Sequence, residues 1–165
     1  MNFDLSPEQQ VVHDLATQIF DGQASVERVK AAERADGFDR LLWSALADAN
    51  LLGLCLPERY GGSAMGMVEL LLLAEQQGRH VAPVPLVPTV VTAMILAEHA
   101  GDDLRAELLS GVVDGSIVLT AALAESGANE VLSPTTHATA TAHGYHLAGY
   151  RPAVPYGHHA TRIIV

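Results

Sequence analysis

Leu56-Pro57-Glu58-Arg59-Tyr60-Gly61-Gly62-Ser63-Ala64-Met65-Gly66, "LPERYGGSAMG", breaks an otherwise nearly all-apolar run that extends from Leu51 to Leu73. Pro57 ends the segment before it, Gly61 and Gly62 permit positive φ, and Ser63 or a neighbour leads into a following helix. Tyr60, with a polar tip and an apolar body, is suited to bracing such a turn against a helical bundle. A turn between helices accounts for every residue of the stretch, so it asks for no catalytic role from Glu58, Arg59 or Tyr60.

The sequence on both sides of this turn is helical in pattern. Upstream, Ser6-Pro7-Glu8-Gln9 combines a capping serine, a proline at the first helical position and a glutamine that closes a capping box. Val11, Val12, Leu15, Ile19 and Phe20 then share one face of a helix running to about Phe20. Residues 21–37 are charged and weakly apolar, a loop or an exposed helical piece. Helical spacing returns through Phe38, Leu41, Leu42, Ala45, Leu46 and Ala49, with Asn50 and Gly53 as a stop. Downstream, Met67–Ala74 is apolar nearly all round, with Glu69 the one polar exception. That pattern predicts a helix buried inside a bundle, with Leu71 in its core. Pro83, Pro85 and Pro88 predict extended chain until a helix resumes from about Thr89 to His99. A further short helix fits Asp102–Ser110.

After Gly115 the pattern changes. "SIVLTAALAE" (116–125), "TTHATATA" (135–142) and "GYHLAGY" (144–150) are β-branched or alternating and are separated by turn residues. The sequence closes on Arg162-Ile163-Ile164-Val165, a strand-like run expected to present an unpaired edge. The predicted fold is α+β: an N-terminal all-α helical bundle over 1–115, then a truncated, incomplete antiparallel β-barrel-like domain over 116–165.

Composition narrows the function. Of 165 residues, 49% are apolar and 17% charged, enough to bury a core. The net charge of −10 is uneven: residues 1–115 carry 17 acidic and 7 basic side chains, and 116–165 carry two of each. An acidic surface without a Lys/Arg cluster repels a phosphate backbone, which argues against nucleic-acid partners. The single cysteine, Cys55, lies in an apolar run and reads as a buried, inert thiol. No signal pattern opens the chain, and no apolar stretch reaches the roughly 18 residues of a membrane span. A cytoplasmic protein is expected.

Four local patterns, in order, together resemble the acyl-CoA dehydrogenase family over essentially the whole chain. Leu5-Ser6-Pro7-Glu8-Gln9 is similar to the family's opening "Leu-x-x-Glu-Gln" helix, and Pro57 to Gly62 to its "Pro-Glu-x-Tyr-Gly-Gly" turn. Glu75 to Pro83, "EQQGRHVAP", resembles the close of its next helix. "LLSGVVDGSIVLTAALAE" resembles its entry into the β-domain.

The resemblance implies an oxidoreductase, a flavoprotein of lipid metabolism that uses FAD for α,β-desaturation of acyl-CoA thioesters. A carboxylate removes the α proton while flavin accepts the β hydride. The family's base is a glutamate of a C-terminal helical domain, and no residue of this chain occupies that place, so no catalytic residue is assigned. By resemblance, the flavin contacts fall on the backbone of Ala121, Ala122, Leu123, Ala124 and Glu125 and on Ala153, Val154 and Pro155. Ala124 stands where the family has a threonine hydroxyl, and Glu130 where it has a serine. Pro155 matches a second threonine and supplies neither a hydroxyl nor an N–H. It reads either as a strand-end proline or as an altered flavin contact. FAD retention by this chain is therefore expected to be weak or absent.

Five histidines (His137, His143, His146, His158 and His159) fall close together in sequence. They read as exposed hairpin residues rather than a metal site, because strand positions three apart face opposite ways and no ligand set completes them. Three readings follow: the N-terminal portion of an acyl-CoA dehydrogenase-like flavoprotein, a non-catalytic partner subunit with degenerate flavin contacts, or a helical interaction module. The first two imply a homo- or hetero-oligomer acting on an acyl-CoA substrate.

Overall fold

A computed structural model of the chain describes residues 4–124 and 134–165. Six α-helices form its N-terminal region, and two small two-stranded sheets follow. The fold is α+β, with no closed barrel among the described residues.

Helix α1, Pro7–Gln23, begins at the expected capping box. The Ser6 hydroxyl accepts from the Gln9 N–H at 3.2 Å, and Gln9 Oε1 accepts from the Ser6 N–H at 3.0 Å. Its buried face is Val12, Ala16 and Phe20, whereas Val11, expected on that face, is exposed. The charged stretch after it is helical: α2, Val26–Arg34, buries only Val29. α2 docks through Arg28, whose Nη2 donates to both carboxylate oxygens of the buried Asp39 at 2.9 and 3.0 Å. Asp39 also accepts from the Leu42 N–H at 3.0 Å, capping α3, Arg40–Asp48. α3 in turn buries Leu42, Trp43 and Leu46.

The opening stretch forms one 3₁₀ turn, Glu58–Tyr60. Of its two glycines only Gly61 has positive φ, at 88°. Gly62 is required for a different reason: a Cβ there would collide with the Leu56 carbonyl. That close approach lets the Ala64 N–H reach Leu56 O and the Met65 N–H reach Leu54 O, each at 2.9 Å. Tyr60 packs against the cluster of Leu56, Ala93, Leu109, Val112 and Leu119, bracing the turn as anticipated. Ser63 does not start the next helix. Its hydroxyl accepts from Asn50 Nδ2 at 3.2 Å instead.

Helix α4, Met67–His80, begins where Glu69 Oε2 accepts from the Gly66 N–H at 2.8 Å. It packs on α1, and Glu69 Oε1 also accepts from Gln9 Nε2 at 2.9 Å. The expectation that α4 is buried all round fails. Leu70, Leu73 and Gln76 are buried, but Met67 and Val68 are exposed and Leu71 is 61% exposed. Leu71 lies one position round the helix from the face that meets α1, so its side chain points away from the core.

Helix α5, Leu86–His99, starts three residues earlier than the prolines suggested. Pro88 sits inside its first turn, where the missing N–H is tolerated. The carbonyl of Val84, four residues before that proline, accepts instead from Gln77 Nε2 at 2.8 Å. Helix α6, Asp102–Val113, buries Leu108, Leu109 and Val112.

Strand β1, Leu119–Ala121, pairs in parallel with β4, Arg162–Ile164, in the register Leu119↔Arg162, Thr120↔Ile163, Ala121↔Ile164. The closing apolar run is therefore paired with β1 along one side, which was not expected, and its other edge has no partner strand among the described residues. β2, His137–Thr141, and β3, Gly144–Ala148, form an antiparallel hairpin whose residues are all exposed. Trp43 Nε1 ties the helices to this region by donating to Gly115 O at 2.8 Å. No helix among the described residues is long and apolar enough to cross a membrane.

Candidate functional site

The two segments singled out around Ala121–Glu125 and Ala153–Pro155 are brought together at the end of β1. Thr120, fully buried, donates its hydroxyl proton to the Pro155 carbonyl at 2.7 Å. Arg151 Nη1 donates to Leu123 O at 3.2 Å, and the Ala122 N–H donates to Ile164 O at 2.7 Å. From the other side, the Thr89 hydroxyl on α5 donates to Leu119 O at 2.9 Å. Two threonines thus pin β1 between a helix and the 153–155 turn. That turn is tightly set, because both Ala153 and Tyr156 adopt left-handed backbone, at φ 54° and 50°. Glu125 lies outside the described residues.

Between α5, β1 and this turn is an apolar cavity of about 270 Å³. Val87, Val91 and Ile95 recur every four residues along α5 and form one wall, with Pro88 and Thr92 beside them. Thr120, Ala121, Leu123 and Pro155 form the other. α5 can wall a cavity because its opposite face, Leu86, Val90 and Ala93, is already in the core. Sequence reading reached Ala121, Leu123 and Pro155 but missed the α5 residues. The available signal was an apolar helix interrupted by two threonines.

The fit to a flavin divides along the same residues. Ala124 has no hydroxyl, Pro155 has neither hydroxyl nor N–H, and the Ala122 N–H is taken by Ile164. The N–H groups of Leu123 and Ala124, both exposed beyond the end of β1, make no hydrogen bond among the described residues. Those two backbone donors are left available among the described residues. The side chains of Ala124 and Pro155 supply none.

Other features offer less. A larger cleft of about 430 Å³, lined by Glu33, Gln77 and Tyr156 among others, is shallow and open, and it touches neither Ala121–Ala124 nor Pro155. The smaller cavity is the better candidate because both predicted segments wall it. Burial pushes the Cys55 thiol up to about 11, with the Glu69 carboxylate adding to it, so the thiolate is scarce at neutral pH. His137 and His146 lie on the exposed hairpin and His143 in its turn. His159 does not belong there: its Nε2 is 2.9 Å from Asp36 O and its ring packs edge-on against Phe38. Among the described residues no three His, Cys, Asp or Glu side chains converge on a metal-sized site.

Residues 6–116 match the family described as "Acyl-CoA dehydrogenase, N-terminal domain". Two curated relatives from Mycobacterium tuberculosis, acyl-CoA dehydrogenases FadE27 and FadE28, are each 32% identical over the whole chain. The alignments cover 44% and 42% of those relatives, so the chain spans less than half their length. Among solved structures, the steroid ACAD Tcur3481-Tcur3483 in its G363A variant superposes with a TM-score of 0.88 at 43% identity. That match covers 94% of this chain and 43% of the other. The ChsE4-ChsE5 complex from Mycobacterium tuberculosis gives a TM-score of 0.88 at 31% identity, covering 99% of this chain and 44% of that one.

Proposed function

The chain belongs to the acyl-CoA dehydrogenase family, and from that premise we propose that it supplies the N-terminal portion of a flavoprotein that desaturates acyl-CoA thioesters. Residues 1–115 are its helical domain and 116–165 part of its middle β-domain. The observation that carries this reading is the apolar cavity between α5 and β1, walled by both segments that the family resemblance ties to the reaction centre. Val87, Val91 and Ile95 exclude water and hold the hydrocarbon part of the acyl group. Thr89 and Thr120 fix β1, so the cavity wall is set before ligand arrives. The backbone donors of Leu123 and Ala124 would hold the edge of a flavin. When bound, that cofactor supplies a hydride acceptor for the β carbon. α-Proton removal is assigned to no residue of this chain, and the proposed setting is cytoplasmic.

A second reading is favoured by Ala124 and by Pro155, whose carbonyl is engaged by Thr120: a non-catalytic subunit that completes a hetero-oligomer with degenerate flavin contacts. The similar ChsE4-ChsE5 structure is a complex, which supports pairing as a mode of action. One experiment tests both readings. The chain is titrated with acyl-CoAs and with free CoA while methyl NMR signals are followed, and FAD retention is read by absorbance after gel filtration. Acyl-CoA, but not CoA, is expected to shift Val87, Val91 and Ile95, with little FAD retained and no reduction of an artificial acceptor. Shifts confined to the Glu33–Gln77–Tyr156 cleft would overturn the cavity assignment. Stoichiometric FAD with turnover would overturn the degenerate-site reading.

A further inference from the structure

The cavity wall carries two threonine hydroxyls with different status. Thr120 gives its proton to Pro155 O at 2.7 Å. Thr92, on α5, is 2% exposed and borders the cavity, and its hydroxyl has no hydrogen-bond partner among the described residues. Thr89, one turn earlier on the same helix, shows the usual outcome for a buried hydroxyl here, since it donates to Leu119 O at 2.9 Å. The Thr92 hydroxyl is not among the fully enclosed, unpaired side-chain atoms of the described residues, so it stays open to the cavity, and a ligand that covers it without pairing it leaves it unsatisfied at a cost. The rest of the α5 wall, Val87, Val91 and Ile95, is hydrocarbon and fixes no orientation.

We propose that Thr92 is a specificity-determining residue: its hydroxyl donates to a carbonyl oxygen borne on an otherwise hydrocarbon ligand. The cavity then selects an apolar body with one oxygen over the same shape without it. This deepens the reading of the cavity as the acyl-end pocket and rests on it. A site built to hydrogen-bond a ligand oxygen discriminates against the analogue lacking it, because the protein group is otherwise left unpaired.

The test uses the full chain and a shape-matched pair of probes, 2-decalone and 2-methylenedecalin, which differ by an oxygen replaced with CH₂. Affinities are read from the methyl signals of Val87, Val91 and Ile95. The ketone is expected to bind roughly 3- to 10-fold more tightly, the range of one added hydrogen bond. In Thr92→Val, nearly isosteric, the ratio falls to about one or below, and Thr92→Ser restores the preference. Equal affinities in the wild-type chain, or a preference that survives Thr92→Val, overturn the role of Thr92 while the cavity stands. If neither probe moves those methyl signals, the role of Thr92 and the cavity reading fall together.

Discussion

Helices α4 and α5 are each 14 residues long, and both are apolar beyond what one buried face needs, yet they end in different surroundings. α4 lays Leu70 and Leu73 against the core and leaves Met67, Val68 and Leu71 in solvent. α5 buries Leu86, Val90 and Ala93 and turns its second apolar face toward β1 and the 153–155 turn, where the cavity forms. A periodic pattern reports how many faces of a helix are apolar. It does not report what comes to cover them, because the cover belongs to residues distant in sequence.

The sharpest way to break this comparison is on α4 itself. Leu73→Ala should cost about 2–5 kcal/mol, through lost burial and a cavity, whereas Leu71→Ala should change stability by less than about 0.5 kcal/mol. Chemical denaturation measures both. Equal losses would mean that Leu71 is covered after all.

The next test addresses the contact that distinguishes α5. Thr89→Val removes the donor to Leu119 O and leaves that buried carbonyl unpaired, an expected loss of about 1–3 kcal/mol. Amide exchange at Thr120 and Ala121 should quicken with it. Unchanged exchange would show that β1 is held without α5.

The smallest effect belongs to the start of α4. The Glu69 carboxyl is held below its ordinary value of 4.5, first by the Gln9 amide, then by its own backbone N–H and that of Gly66. A depressed folded-state pKa contributes stability that is present above the unfolded value and is lost as pH falls through the folded one. Glu69→Gln should therefore cost about 0.3–1 kcal/mol near neutrality, and its gap from wild type should close as pH falls below the ordinary 4.5 and through the lowered folded-state value. A gap that stays constant with pH would exclude the carboxylate as its source.

What could be read in advance follows from where the information lies along the chain. The Ser6–Gln9 cap and the Gly61 turn are local, depending on residues within a few positions, and both formed as read. The α+β order was legible because the change of pattern after Gly115 is also local. Leu71 and the pairing of Ile163 were misread because their environments are set by α1 and β1, far away in sequence. At the site, Ala121, Leu123 and Pro155 came from motif order. The facing wall of α5 did not, since nothing near Val87 or Thr92 announces that β1 will lie opposite. The need for Gly62 was legible, but its reason was not: it serves a close backbone approach rather than positive φ.

The parallel pairing of β1 with β4 also orders events in time. Val118 donates its N–H to the hydroxyl of Thr161, 43 residues later, and the Thr161 N–H returns to Val118 O. A chain emerging from a ribosome at about 5–20 residues per second makes β1 some 2–9 s before its partner strand exists. During that interval the helices can close around Leu119, but the Thr120 hydroxyl must wait for Pro155 to be synthesised. The cavity is thus completed only once Pro155 has been made, shortly before β4 can pair with β1, and a pause in translation within 122–155 would lengthen the time its apolar wall on α5 stands open.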